Sequence, residues 1–103
     1  MSREIKEISN NEFENEFKKL KGKSVCVDIL GDVTFLKLID SFDIRQCGDK
    51  ITLCDCEDES NISIKKSAID CIVQDKRISN LKDTHIFLKN GLEINLQGDV
   101  ENE

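Results

Sequence analysis

The sequence contains no proline, no tryptophan and no tyrosine, and a single histidine. Without proline, no strand or helix is broken by a residue that lacks its backbone N–H. Without tryptophan and tyrosine, five phenylalanines are the whole aromatic complement, which leaves few rings for stacking on bases. No apolar run approaches the roughly 20 residues of a membrane-spanning helix, and the polar start Met1-Ser2-Arg3-Glu4 is not followed by the apolar segment of a signal peptide. A cytoplasmic protein with no membrane contact is therefore expected. A basic excess is missing too: 21 acids stand against 15 bases, for a formal charge of −6. The acidity is local. Asp55, Glu57, Asp58 and Glu59 form one stretch and Asp99, Glu101 and Glu103 another, with no base inside either. Setting these seven aside leaves 14 acids against 15 bases, a nearly neutral body. No basic stripe is present to displace counterions from phosphates, so non-specific nucleic-acid binding is disfavoured. The first acidic stretch reads as a solvated loop at 55 to 59 and the second as a frayed tail at 99 to 103.

Isoleucine, leucine, valine and phenylalanine are plentiful enough to build a core, and 103 residues suit one domain, here 1 to 98 ahead of the tail. The richness in lysine, isoleucine and asparagine is typical of AT-rich bacterial genomes. Ser9 and Glu12 have capping-box spacing, and Ile8 and Phe13 fall at the positions of a hydrophobic staple. Phe13, Phe17 and Leu20 then recur on one face, lysines crowd the last turn, and Gly22 can end the helix in a left-handed conformation. The spacing predicts a helix from about 10 to 21, too short to be stable unless its apolar stripe docks.

After Gly22 the period changes to that of strands. Val25, Val27 and Ile29 alternate with Cys26, Asp28 and Leu30 before the turn signal Gly31-Asp32. Thr34 to Asp43 is apolar on both faces, as a long strand would be if it were covered on both sides or strongly curved. Gly48-Asp49 turns the chain into Lys50 to Cys56, and Asn61 to Ile64 and Ile69 to Val73 are two further strands. Gln74 to Asp83 is the longest connection and has room for a helical turn. Asn90-Gly91 between Thr84 to Lys89 and Leu92 to Gln97 signals a hairpin with a two-residue loop. That loop would set Lys89 opposite Leu92, Phe87 opposite Ile94 and His85 opposite Leu96, with this face on the core.

Chemistry is sparse. Five cysteines are an odd number without an export signal, so free thiols are expected. Cys54 and Cys56 point to one face of a strand; with His85 they are the candidates for a metal site, although Cys-x-Cys on a strand is not the usual ligand spacing. The bland reading of all three as ordinary strand residues is favoured. Asp55 to Glu59 fails the EF-hand pattern, because Ser60 stands where its glycine should be and Lys66 where its bidentate Glu should be. No phosphate-binding glycine loop and no nucleophile elbow occur. No enzymatic activity and no cofactor are expected.

A short helix followed by five short strands, the second long and doubly apolar, resembles the Sm-like small barrel of Sm, LSm and Hfq proteins. The carrying residues are Leu20-Lys21-Gly22-Lys23-Ser24-Val25-Cys26-Val27, Phe35 through Ile39 ending in Ser41-Phe42-Asp43, and Ile64-Lys65-Lys66-Ser67-Ala68-Ile69. Lys66-Ser67-Ala68-Ile69 looks like the Lys-His-Ala-Ile turn of Hfq, with serine in place of histidine. The resemblance implies a strongly bent β-barrel and rings built by pairing strands 4 and 5 between subunits. It also implies single-stranded RNA contacts at Lys65, Lys66, Phe42 and Arg45. Lys37 stands where the family has its bend glycine and Cys47 where it has an asparagine of the base pocket. Leu20-Lys21-Gly22-Lys23-Ser24-Val25 is also similar to the PRC-barrel family of small binding modules. The expected architecture is mainly β: an Sm-like barrel over about 24 to 73, with an N-terminal helix and a C-terminal hairpin extension over 84 to 97. The expected function is a non-enzymatic interaction or assembly module that associates with itself or a protein partner, with RNA binding and a thiol or metal module as the alternatives.

Overall fold

Two reciprocal hydrogen bonds start the helix. The Ser9 hydroxyl accepts the Glu12 N–H at 3.1 Å, and the Glu12 carboxylate accepts the Ser9 N–H at 3.0 Å. In the computed structural model, which describes residues 5–57, 60–75 and 81–99, helix α1 spans Asn10–Lys18. It ends earlier than its apolar spacing predicts, because the chain tightens into i→i+3 bonds, Leu20 N–H to Phe17 O and Lys21 N–H to Lys18 O. Gly22 then turns the chain with φ +82°, and its N–H reaches Phe42 O at 2.8 Å. Phe13, Phe17 and Leu20 are fully buried, so the predicted stripe is the docked face.

The remainder is strand. In order these are β1 (Ile5–Ile8), β2 (Val25–Leu30), β3 (Phe35–Ile39), β4 (Phe42–Cys47), β5 (Lys50–Asp55), β6 (Asn61–Lys65), β7 (Ile69–Asp75), β8 (Leu81–Leu88) and β9 (Glu93–Asp99), with a 3-10 turn at Lys66–Ala68 between β6 and β7. They form a six-stranded sheet ordered β1-β7-β8-β9-β2-β3 and a three-stranded sheet ordered β4-β5-β6, antiparallel throughout. The mainly β class with one helix holds, but the two sheets do not close into a barrel. The single long strand expected over Thr34 to Asp43 is two strands: the chain leaves β3 at Asp40-Ser41 and enters the other sheet as β4. The strand β1 was not predicted. Four residues with two polar positions carry too little periodicity to be read alone, and β1 is held by its ladder to β7. Of the connection expected over Gln74 to Asp83, Gln74 and Asp75 belong to β7 and 81 to 83 to β8; the residues between, 76–80, lie outside the described residues, as do 1–4, Asp58, Glu59 and 100–103.

The core lies between the sheets. Val25, Val27, Ile86 and Leu96 of the larger sheet meet Ile51 and Leu53 of the smaller, and the helix closes one end with Phe17, whose ring sits edge-on to Phe42 at 6.0 Å. One polar pair is buried among them. Gln74 donates to Thr84 at 3.1 Å across the β7–β8 ladder, which gives each buried side chain a polar partner and pins that register.

The hairpin register is one residue away from the prediction. Ile86 faces Ile94, Phe87 faces Glu93 and His85 faces Asn95. The loop has three residues, Lys89-Asn90-Gly91: the Gly91 N–H bonds Leu88 O at 3.0 Å, the Leu88 N–H bonds Leu92 O at 2.9 Å, and Gly91 takes φ +95°. A one-residue slip exchanges the faces of a strand. Thr84, Ile86, Ile94 and Leu96 therefore point into the core, while His85 and Phe87 are half-exposed on the outer face.

Candidate functional site: a bare edge strand and the recesses beside it

Strand β3 pairs with β2 along one side and has no ladder on the other among the described residues. Side chains alternate along it. Leu36 and Leu38 lie opposite Asp28 and Cys26 and point outward; Phe35, Lys37 and Ile39 lie opposite Ile29, Val27 and Val25 and point inward. Only Ile39 is buried. Leu36 is 63%, Leu38 57%, Phe35 53% and, just before the strand, Val33 79% exposed. The doubly apolar sequence led to the expectation of a strand covered on both sides or strongly curved; the chain does bend out of β3 at Asp40-Ser41, and among the described residues no strand covers its outer edge. Edge strands are normally protected by proline, bulges, charges on the edge or inward-pointing charges. This chain has no proline, and the inward-facing Lys37 is the one charge β3 carries.

Two recesses adjoin the edge. A cavity of about 190 Å³ is lined mainly by apolar groups, with Phe35, Ile39, Leu53 and Ile62 among them. A second, of about 300 Å³, is lined by Arg45, Cys54, Asp55, Cys56, Ser60 and Asn61; the last two residues form a wall shared by both. The carboxylate of Asp55, 3% exposed, is the anchor of this corner. It accepts the N–H groups of Asp40 at 3.3 Å, Ser41 at 3.4 Å and Glu57 at 3.0 Å. Asp40 and Ser41 are the residues at which the chain bends from β3 into β4, so this side chain supplies the acceptors the ladder cannot. The acidic stretch is thus not a wholly solvated loop: Asp55 closes β5, buried, and the adjoining Glu57 is exposed.

The five thiols are free and differ in their surroundings. Cys47 and Cys56 are exposed. Burial pushes the Cys26, Cys54 and Cys71 thiols up; Asp28 adds to this at Cys26, Asp70 and Glu7 at Cys71, and at Cys54 the opposing pull of Arg45 is joined by smaller upward pushes from Asp43 and Cys56. A raised value means less thiolate at any given pH, and thiolate is the reacting form. Alkylation at neutral pH followed by mass spectrometry should therefore label Cys47 and Cys56 first, with Cys26, Cys54 and Cys71 lagging and catching up as pH rises. The same three thiols hold their protons more tightly folded than unfolded, so their contribution to stability is present below the ordinary thiol value of about 8.5 and is lost as pH rises past it. Equal labelling of Cys54 and Cys56 at neutral pH would contradict this.

No family model, curated protein or solved structure matches this chain. Cys54 and Cys56 line the larger recess beside the small sheet, whereas His85 stands on the outer face of the large one. There its Nδ1 lies 2.5 Å from Asn95 Oδ1 and 3.2 Å from Glu93 Oε2, and its Nε2 is 3.3 Å from Asp83 Oδ1. Among the described residues, no group of three or more His, Cys, Asp or Glu side chains is placed to hold a metal ion. Of the four RNA candidates, Phe42 is fully buried and offers no ring face to a base. Arg45 is exposed with its guanidinium 3.5 Å from the Asp43 carboxylate, Lys65 is exposed, and Lys66 is half-buried in the 3-10 turn. Sequence reasoning missed Asp55, yet a signal for it existed. Ile51, Leu53 and Asp55 share one parity on β5, and that parity is the buried face.

Proposed function

We propose that this protein is a non-enzymatic assembly module that self-associates through an exposed strand edge. The observation that carries the reading is the bare β3 edge with Leu36 and Leu38 more than half exposed. Leaving apolar side chains and unpaired backbone groups in water is a liability that pairing with another strand removes.

The reading includes an Sm-like ancestry, opened by the C-terminal hairpin. It is supported by the chain order of helix, β2, bent β3–β4, β5, β6, 3-10 turn and β7, with the turn at Lys66–Ala68 where the Hfq-like motif lies. In Sm-like rings strands 4 and 5 join subunits, and β6 and β7 hold those places here. Strand β7 is already flanked by β1 on one side and β8 on the other. A ring contact through it is occupied, which shifts assembly to another edge. The test is light scattering from dilute to concentrated solution. A mass rising above one chain is expected, and a mass of one chain throughout would end the reading.

A further inference from the structure

The self-association proposed above leaves open which edge joins and in what register. We infer that two copies join their β3 strands antiparallel about a two-fold axis at Leu36, so that the six-stranded sheet of one continues into that of the other.

The edges differ in what they expose. On β6, Ile64 is buried and Asn61, Ser63 and Lys65 are the exposed residues, so that edge presents polar side chains. Val33, Phe35, Leu36 and Leu38 cluster at the β3 edge instead. Weighted by their exposure, these four side chains present roughly 400–500 Å² of apolar surface, at the upper end of what a monomer usually shows. Complete covering of these side chains in two facing copies would bury at most roughly 900 Å², and the backbone and flanking atoms of the paired strands bring the contact towards the ~1,000 Å² that specific interfaces reach. The pairing is isologous, so it closes after two copies and consumes the edge.

Parity and charge select the register. Residues opposite one another in an antiparallel pair point to the same face, so the axis must pass through a residue. An axis at Lys37 sets two like charges directly opposite, which is unfavourable. An axis at Phe35 sets Leu38 against Asp32, and one at Leu38 sets Leu36 against Asp40, whose N–H is held in the bend by Asp55. An axis at Leu36 pairs Leu36 with itself, Phe35 with Lys37, Thr34 with Leu38 and Val33 with Ile39, and it sets the exposed acids Asp32 and Asp40 opposite one another only beyond the ends of β3. Each Lys37 then meets the ring of the other copy's Phe35, a favourable cation–aromatic contact.

The test uses the full chain with the exposed Cys47 and Cys56, and Cys26, which faces position 38 across the β2–β3 ladder, replaced by serine. Facing residues in an antiparallel pair have Cα atoms about 4.5–5.5 Å apart, which a disulfide can span. On mild oxidation, Leu36→Cys should therefore cross-link two copies through a disulfide between their introduced thiols, identified by peptide mass spectrometry, whereas Leu38→Cys, facing Thr34, should not. In the otherwise unchanged protein, Leu36→Lys should weaken association at least about tenfold, bringing the light-scattering mass from two chains to one with the circular dichroism spectrum unaltered. Linking at position 38 as readily as at 36 overturns the register. A wild-type dimer unaffected by Leu36→Lys overturns the β3 interface and leaves self-association through another edge standing. A wild-type mass of one chain at every concentration removes both.

Discussion

Replacing Phe17 by alanine should lower the unfolding free energy by about 3–5 kcal/mol, the cost of deleting a buried ring together with the cavity it leaves. Phe17 is fully buried, 4.9 Å from the Phe13 ring and 6.0 Å from that of Phe42. With the Gln46–Glu14 hydrogen bond of 3.0 Å, it ties a nine-residue helix to β4, and it is the apolar part of that tie. Such a helix has little stability of its own, so losing its anchor frees the whole element. Domains of this size have only about 5–15 kcal/mol in total, which puts the variant at the border of unfolding. Urea denaturation should show the midpoint falling with the slope preserved, and Phe17→Leu should recover much of the loss. A loss under about 1 kcal/mol for the alanine variant would mean that the helix is not docked as described.

The second large effect is at Asp55. Asp55→Ala removes the acceptor of three backbone N–H groups at a nearly buried corner, and a loss of about 2–4 kcal/mol is expected. Asp55→Asn should fall between wild type and alanine. Its carbonyl can take the place of Oδ1, which receives Ser41 and Glu57, but its amide group then faces the N–H of Asp40 with no lone pair to offer. Because these bonds hold the bend between the sheets, hydrogen exchange at Asp40 and Ser41 should accelerate in both variants. Equal stability of all three proteins in urea would show that water replaces the carboxylate at no cost.

The features read correctly from sequence are those whose causes lie within a few residues. The Ser9–Glu12 box, the stripe of Phe13, Phe17 and Leu20, and the alternation of Val25, Val27 and Ile29 each need only local geometry, and each is found in place. The hairpin shows where local signals stop. Asn90-Gly91 supports a two-residue turn, but the three-residue loop aligns Ile86 with Ile94 and Leu96 on one face and sends His85 outward among polar partners. Burying an isoleucine rather than a histidine outweighs a small difference in turn preference. The alternation of Ile86, Leu88, Ile94 and Leu96 was visible in the sequence, and weighing it above the turn dipeptide would have found the register.

At the candidate site the balance is reversed. An apolar strand over Phe35 to Ile39 was legible; its being uncovered was not, because exposure depends on which strands take the neighbouring places. Strand β1 and the β8–β9 hairpin occupy both sides of β7, and no strand among those described reaches the outer side of β3. Phe42 illustrates the same limit, since a ring assigned to RNA by motif position is enclosed by a helix some 25 residues earlier in the chain. The sequence by itself determined the mainly β class and the capped helix, because composition, caps and side-chain alternation act over short stretches. Only the tertiary structure decided the two-sheet division, the role of Asp55 and the bare edge. Those depend on hydrogen bonds and burial between residues far apart in the chain, where the partner, not the residue, sets the outcome.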